Sequence, residues 1–142
     1  FMPDNAREPM KTNALILLAD DEPHITLVLS RKLQASGYDV ITAEDGEDAF
    51  EQALEASPAL VITDLQMPYM SGIELARQLK TNDATSQTPV IMLTARGYVL
   101  DPSELASTNI RYIMSKPFSA REILDKVIEL LPPAAGSFRK SA

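Results

Sequence analysis

The chain has 142 residues, 45% of them hydrophobic and 23% charged, which is the length of one domain and a globular rather than a disordered composition. Its net charge of −7 disfavours gripping a nucleic-acid backbone or an anionic membrane surface by charge alone. Zero cysteine excludes disulfides, thiolate zinc sites and a cysteine nucleophile, and a lone histidine, His24, leaves no His-rich metal cage.

Phe1 precedes Met2, and residues 1–11 are polar and aperiodic, so they are expected to be a cloning remnant plus a disordered arm. Ala14–Ala19 is the longest apolar run, a buried-strand pattern far short of the ~20 residues that span a bilayer. Pro23 opens a helix with Ile25, Val28, Leu29 and Leu33 on its inner face, closed by Ser36-Gly37. Tyr38–Thr42 reads as a second strand. Gly46–Ala56 follows as a helix with Ala49, Phe50, Ala53 and Leu54 inward, stopped at Ser57-Pro58. Ala59–Thr63 is a third strand and Gly72–Lys80 a helix carrying Leu75, Ala76 and Leu79.

Pro89–Thr94 and Ile110–Ser115 are the fourth and fifth strands. Between them, Asp101-Pro102-Ser103-Glu104 looks like a helix cap with Pro in the first turn, which predicts a loop from Ala95 to Leu100 and a short helix near Pro102–Thr108. Tyr98, Val99 and Leu100 either pack beneath that helix or form a partner-binding patch. The last helix begins at a Ser119/Glu122 capping box and buries Ile123, Leu124, Val127, Ile128 and Leu131. Residues 133–142 read as a linker or tail. Without a disulfide framework or secretion signal, the expected location is cytoplasmic.

Short apolar strands alternating with helices predict an α/β fold, a doubly wound, five-stranded parallel sheet with helices on both faces. The functional site of such a sheet lies at the carboxyl ends of its strands. There the sequence offers Asp20-Asp21-Glu22 after strand one, Asp64 after strand three, Thr94 after strand four and Lys116-Pro117 after strand five. Each has a structural alternative. The Asp-Asp-Glu-Pro run could be helix capping, Asp64 a turn residue, Thr94 a cap and Lys-Pro a loop pair. Their coincidence at one sheet edge favours a site. Crowded carboxylates repel unless a cation sits among them, and hard oxygen ligands with room for water suit Mg²⁺. With a lysine and a hydroxyl nearby, the arrangement suits a phosphoryl group, with Asp64 as nucleophile.

The segments Leu-Leu-Ala-Asp-Asp-Glu-Pro (17–23), Val-Ile-Thr-Asp-Leu-Gln-Met-Pro-Tyr-Met-Ser-Gly-Ile-Glu-Leu (61–75), Pro-Val-Ile-Met-Leu-Thr-Ala (89–95) and Ser-Lys-Pro-Phe (115–118) carry a resemblance. In order and spacing the chain resembles the receiver domain of two-component response regulators, from Asn13 to Leu131, and residues 12–132 are taken as that domain. The resemblance implies a flavodoxin-like strand order 2-1-3-4-5. It also implies that Asp64 accepts a phosphoryl group from a histidine kinase or histidine phosphotransfer protein. Asp21, Asp64 and the backbone carbonyl of Gln66 would hold Mg²⁺ directly, and Asp20 would do so through water. Lys116 would contact a phosphoryl oxygen, and Thr94 would move toward it. The Lys116-Pro117 bond is cis in similar proteins. Output would pass through the face of the fourth helix, fifth strand and fifth helix to an effector domain or downstream protein, and the family admits a homodimer. The switch would be no turnover enzyme beyond its own phosphorylation and self-dephosphorylation, with no nucleic-acid or membrane contact by this segment.

Two departures qualify the resemblance. The family places an aromatic residue where this chain has Ile113, and Tyr112, one residue earlier, should face the other way. Signalling is therefore expected to rely on Thr94 and loop movement. Gln66 and Arg96 occupy positions that tune phosphoryl lifetime in similar domains, although Arg96 equally fits a solvated surface arginine. His24 is expected to be exposed, and Glu44, Asp45, Glu47, Asp48, Glu51 and Glu55 to form the solvated face of the second helix. A haloacid-dehalogenase-like phosphatase would need an Asp where Gln66 stands, and a mononucleotide binder would be repelled by Asp20-Asp21-Glu22. A phosphorylation-independent adaptor on the same fold is opposed by the intact Asp20, Asp21, Asp64, Thr94 and Lys116.

Overall fold

The computed structural model describes residues 13–95 and 98–132. The strands are β1 (Leu15–Ala19), β2 (Asp39–Ala43), β3 (Leu60–Asp64), β4 (Val90–Thr94) and β5 (Ile110–Ser115). The helices are α1 (Pro23–Ala35), α2 (Gly46–Ala56), α3 (Gly72–Thr81), α4 (Pro102–Ala106) and α5 (Ala120–Leu130). All strand pairs are parallel, in the order β2-β1-β3-β4-β5, as expected for the doubly wound fold. The expected remnant and arm at residues 1–11, the tail at 133–142, and Arg96 and Gly97 lie outside the described residues.

The period-two alternation of side chains divides the core. Leu17, Ala19, Val61, Val90 and Met92 face one way with Ala49, Ala53, Leu75, Ala76 and Leu79 of α2 and α3. Ile16, Leu18, Leu60, Ile62, Ile91 and Leu93 face the other way with Leu29, Leu33, Ile123, Leu124 and Val127 of α1 and α5. Because β1, β3 and β4 are covered on both faces, their sequences are apolar runs without polar alternation.

Local chemistry sets the helix ends. Ser71 with Glu74 and Ser119 with Glu122 form complete capping boxes on α3 and α5. Each cap contributes about 1 kcal/mol. Asp45, expected only as part of an acidic surface, accepts the N–H of Asp48 at 2.8 Å and caps α2. At the far end of α2, Ser57 enters the left-handed region at φ 49° and returns its N–H to Ala53. The short fourth helix forms, but ends at Ala106 instead of Thr108. The hydroxyls of Ser107 and Thr108 donate to the carbonyls of Glu104 and Leu105, competing with further helical bonds.

Three inward assignments are corrected. Val28, Leu54 and Ile128 are all partly exposed, because a helix lying on a sheet buries only a stripe and these residues sit at its margin. The β4–α4 segment divides: Leu100 joins the core, while Tyr98 and Val99 stay exposed.

Candidate functional site

β1 and β3 are neighbours in the sheet, so Asp20 and Asp21, which follow Ala19, lie beside Asp64, which ends β3. One carboxylate oxygen from each of the three lies within 4.8 Å of the others. Asp20 and Asp64 are buried, and Asp21 faces solvent. The capping alternative for this run fails in detail, since Glu22 at the N-cap of α1 makes no side-chain cap bond. Asp20 Oδ1 accepts the N–H of Glu22 at 2.9 Å, which fixes the carboxylate, while its buried Oδ2 has no partner. A buried carboxylate oxygen without a donor is costly unless a ligand or cation completes it.

Thr94 ends β4 fully buried, and its Oγ1 has no partner either, so it caps nothing. Lys116 follows β5, with its N–H bonded to the Thr94 carbonyl at 3.0 Å and its Nζ 3.5 Å from Glu22 Oε1. The Lys116-Pro117 bond is cis, as expected. Gln66 is exposed on the loop just past Asp64, and His24 is exposed in the first turn of α1. Arg96 lies outside the described residues.

Burial is the main reason the Asp20 carboxyl is pushed up to about 6. The Glu22 N–H opposes the rise, and Asp64 and Glu22 add to it by charge. Burial also raises Asp64, with the Lys116 ammonium and the Leu65 N–H pulling it back down. Because the folded value for Asp20 exceeds the unfolded one, the stability it contributes is complete below about pH 3.8 and is lost as the pH rises through about 6. In EDTA, wild type should therefore lose up to about 3 kcal/mol across that window relative to Asp20→Asn. Urea titrations of both proteins at several pH values check this. A parallel pH dependence for the two would remove Asp20 as the source.

Tyr112 and Ile113 lie on opposite faces of β5. Ile113 is in register with Met92 and so shares the face of Thr94, while Tyr112 pairs with Ile91. The Tyr112 hydroxyl donates to Glu129, and Lys126 Nζ sits 4.6 Å from its ring centre. That hydrogen bond is the first cause of a raised phenol pKa. No aromatic side chain from β5 is therefore available to Thr94. Ile113 is half-exposed because the five-residue α4 buries none of its own residues and leaves this edge of the sheet thinly covered.

Sequence reasoning passed over two glycines. A Cβ on Gly72 would lie 2.4 Å from the Asp64 carbonyl oxygen, and one on Gly46 would lie 2.1 Å from that of Met70. Ser-Gly before the apolar face of α3 was a visible signal, but the close approach is a tertiary fact.

A family model described as "Response regulator receiver domain" matches residues 16–128. Among curated relatives, the chain is 39% identical over 119 residues to the alkaline phosphatase synthesis transcriptional regulatory protein PhoP of Bacillus subtilis, covering 84% of this chain and 49% of that protein. It is 36% identical to the transcriptional regulatory protein SrrA of Staphylococcus aureus, covering 82% of this chain and 47% of that one. The chain thus spans about half the length of the curated relatives it matches. Among solved structures, the chemotaxis response regulator CheY4 of Vibrio cholerae superposes with a TM-score of 0.77 at 31% identity, over 84% of this chain and all of that one. TrrA of Thermotoga maritima, solved with Mg(2+)-BeF, gives 0.71 at 36% identity, over 83% and 99%. Among the described residues no helix is long and apolar enough to cross a membrane. With the strand order, the clustered aspartates and a family match over most of its length, the chain belongs to the receiver domains of response regulators.

Proposed function

We propose that this domain, bounded by residues 12–132, is a Mg²⁺-dependent phosphoacceptor that takes a phosphoryl group from a phosphohistidine onto Asp64. The observation that carries the reading is the convergence of Asp20, Asp21 and Asp64 at one sheet edge that also holds the buried, unpartnered hydroxyl of Thr94. An Asp64 carboxylate oxygen attacks phosphorus, the new O–P bond forms as the P–N bond breaks, and the imidazole leaves with the electron pair. Asp21, Asp64 and the Gln66 carbonyl would hold Mg²⁺, with Asp20, whose buried oxygen has no partner, supporting it. When bound, the ion offsets the charge of the three carboxylates and of the incoming phosphoryl oxygens. Lys116 leaves its long contact with Glu22 to meet a phosphoryl oxygen, and Thr94 donates its hydroxyl to another.

The donor is a histidine kinase or histidine phosphotransfer protein. An apolar recess of about 110 Å³, lined by His24, Ile25, Val28, Leu29, Phe118 and Ala120, supports a protein donor. It lies between α1 and the start of α5, close in sequence to Glu22 and Lys116, and the exposed Leu27 extends its apolar surface. Phosphorylation shifts the population of states at the α4–β5–α5 face, through Thr94 and the β4–α4 loop rather than through an aromatic rotamer. The output is an effector domain or downstream protein. Gene regulation is the class suggested by the relatives' names. Self-dephosphorylation by water ends the signal, with Gln66 and Arg96 as the residues that tune it.

The test is incubation with Mg²⁺ and phosphoramidate, followed by intact mass. A single phosphoryl adduct is expected, and none when EDTA is present from the start. Wild type without any metal-dependent adduct would overturn the reading and favour a phosphorylation-independent adaptor.

A further inference from the structure

The loop between β3 and α3 holds a side chain that neither the fold nor the phosphoryl chemistry uses. Tyr69 sits at φ 69°, in the left-handed region, and is 81% exposed. The N–H of Met70 donates to the Pro68 carbonyl at 2.7 Å, so Tyr69 is the central residue of a three-residue γ-turn of the rare positive-φ kind. A Cβ makes that conformation unfavourable, and glycine would adopt it freely. The other described non-glycine residue with positive φ, Ser57, closes a helix. Tyr69 closes none, packs into neither core cluster, and its hydroxyl bonds to no other described residue. Loop closure and the turn's own hydrogen bond hold the angle, and among the described residues the Tyr69 side chain adds no bond to them.

The placement of the loop gives the ring a use. Residues 66–71 form a closed excursion, because the Gly72 N–H returns to the Leu65 carbonyl at 2.8 Å, directly after Asp64. With steps of about 3.8 Å per residue, the middle of so short a loop stays within ~11 Å of its base. The tip therefore stands at the rim of the phosphoacceptor site. It is also held rigidly, since the Met70 carbonyl fits against Gly46 at the start of α2, where no side chain intervenes. Asp64 is only 8% exposed, so a small donor can enter from solvent, whereas a protein delivering a phosphohistidine must cover the rim. Rigid, exposed aromatic rings are effective anchors because little side-chain freedom is lost on contact.

We propose that Tyr69 is a donor-selecting residue, whose ring touches the histidine-bearing protein that passes its phosphoryl group to Asp64 and helps discriminate that protein from other donors. This rests on the phosphoacceptor reading. The experiment compares wild type, Tyr69→Gly and Tyr69→Phe in the full 142-residue chain. Two donors are used. One is phosphoramidate. The other is the phosphorylated histidine kinase of the same organism that transfers fastest to wild type in a side-by-side profile. Tyr69→Gly is expected to melt above wild type, to take phosphoryl from phosphoramidate at the wild-type rate, and to lose roughly tenfold in transfer from the kinase. Tyr69→Phe, which keeps the ring, should retain kinase transfer. An undiminished kinase rate in Tyr69→Gly overturns the proposal, and so does an equal loss with both donors, which would place the ring's effect on the site itself. Failure of wild type to be labelled by phosphoramidate is a separate result that overturns the phosphoacceptor reading beneath it.

Discussion

Asp64→Asn is expected to abolish the phosphoryl adduct completely while leaving the metal-free fold at least as stable as wild type. The loss follows from chemistry at one atom, because a carboxylate oxygen is the proposed nucleophile and a side-chain amide is a poor substitute at nearly the same size. The stability follows from the surroundings. Burial raises the Asp64 carboxyl, Asp21 and Glu22 add like charge, and Lys116 and the Leu65 N–H only partly oppose them. A carboxyl raised in the folded state stabilises the fold while protonated, and that contribution is lost as the pH rises through the folded value. Above it, the ionised group opposes folding and the neutral amide does not. Thermal melts in EDTA, paired with intact mass after phosphoramidate treatment, check both parts. A variant that melts well below wild type would mean that attraction to Lys116 outweighs burial and repulsion.

Gly72→Ala is expected to damage stability and phosphorylation together. The added Cβ would meet the Asp64 carbonyl oxygen at 2.4 Å, Met92 Sδ at 2.9 Å and Leu65 Cα at 3.0 Å. β3 is buried in the centre of the sheet and cannot retreat, so the first turn of α3 must withdraw with its Ser71–Glu74 capping box. Overpacking of this kind costs about 1–3 kcal/mol, and displacing a reacting group by ~1 Å can cost on the order of 100-fold in rate. Urea denaturation and the phosphoramidate rate measure the two effects. Gly46→Ala provides the contrast. Its clash, at 2.1 Å, is with the backbone of Met70 and not with Asp64, so it should also lose stability but slow the phosphoramidate reaction less than Gly72→Ala. An equal loss of rate in both would show that the position of this loop also sets the geometry at Asp64.

Much of this molecule is legible in its sequence because its elements are locally encoded. The apolar run Leu15–Ala19 and the consecutive Leu60, Val61 and Ile62 have no polar alternation, and that pattern alone says both faces are covered. Capping boxes at Ser71 and Ser119 begin their helices where the side chains can satisfy free N–H groups. Asp20, Asp21, Asp64, Thr94 and Lys116 were found because parallel strands all end at the same edge, so position along the chain becomes position in space. Periodicity was less informative at helix margins. Val28, Leu54 and Ile128 fit the apolar stripe, but how wide a stripe is buried depends on what packs beside it.

The sequence by itself determined the fold class, the strand order through its family resemblance, and which residues lie at the functional edge. These depend on local propensity and chain order, which a linear string carries. Only the tertiary structure decided that Asp20 Oδ2 and Thr94 Oγ1 are buried without partners, that Tyr112 is held by Glu129 away from Thr94, and that Gly72 meets the Asp64 backbone. It also decided that Tyr69 stands exposed in a left-handed turn. Each of these depends on the distance between groups remote in sequence, or on a backbone angle imposed by the closure of a loop. Neither is a property of any residue taken alone.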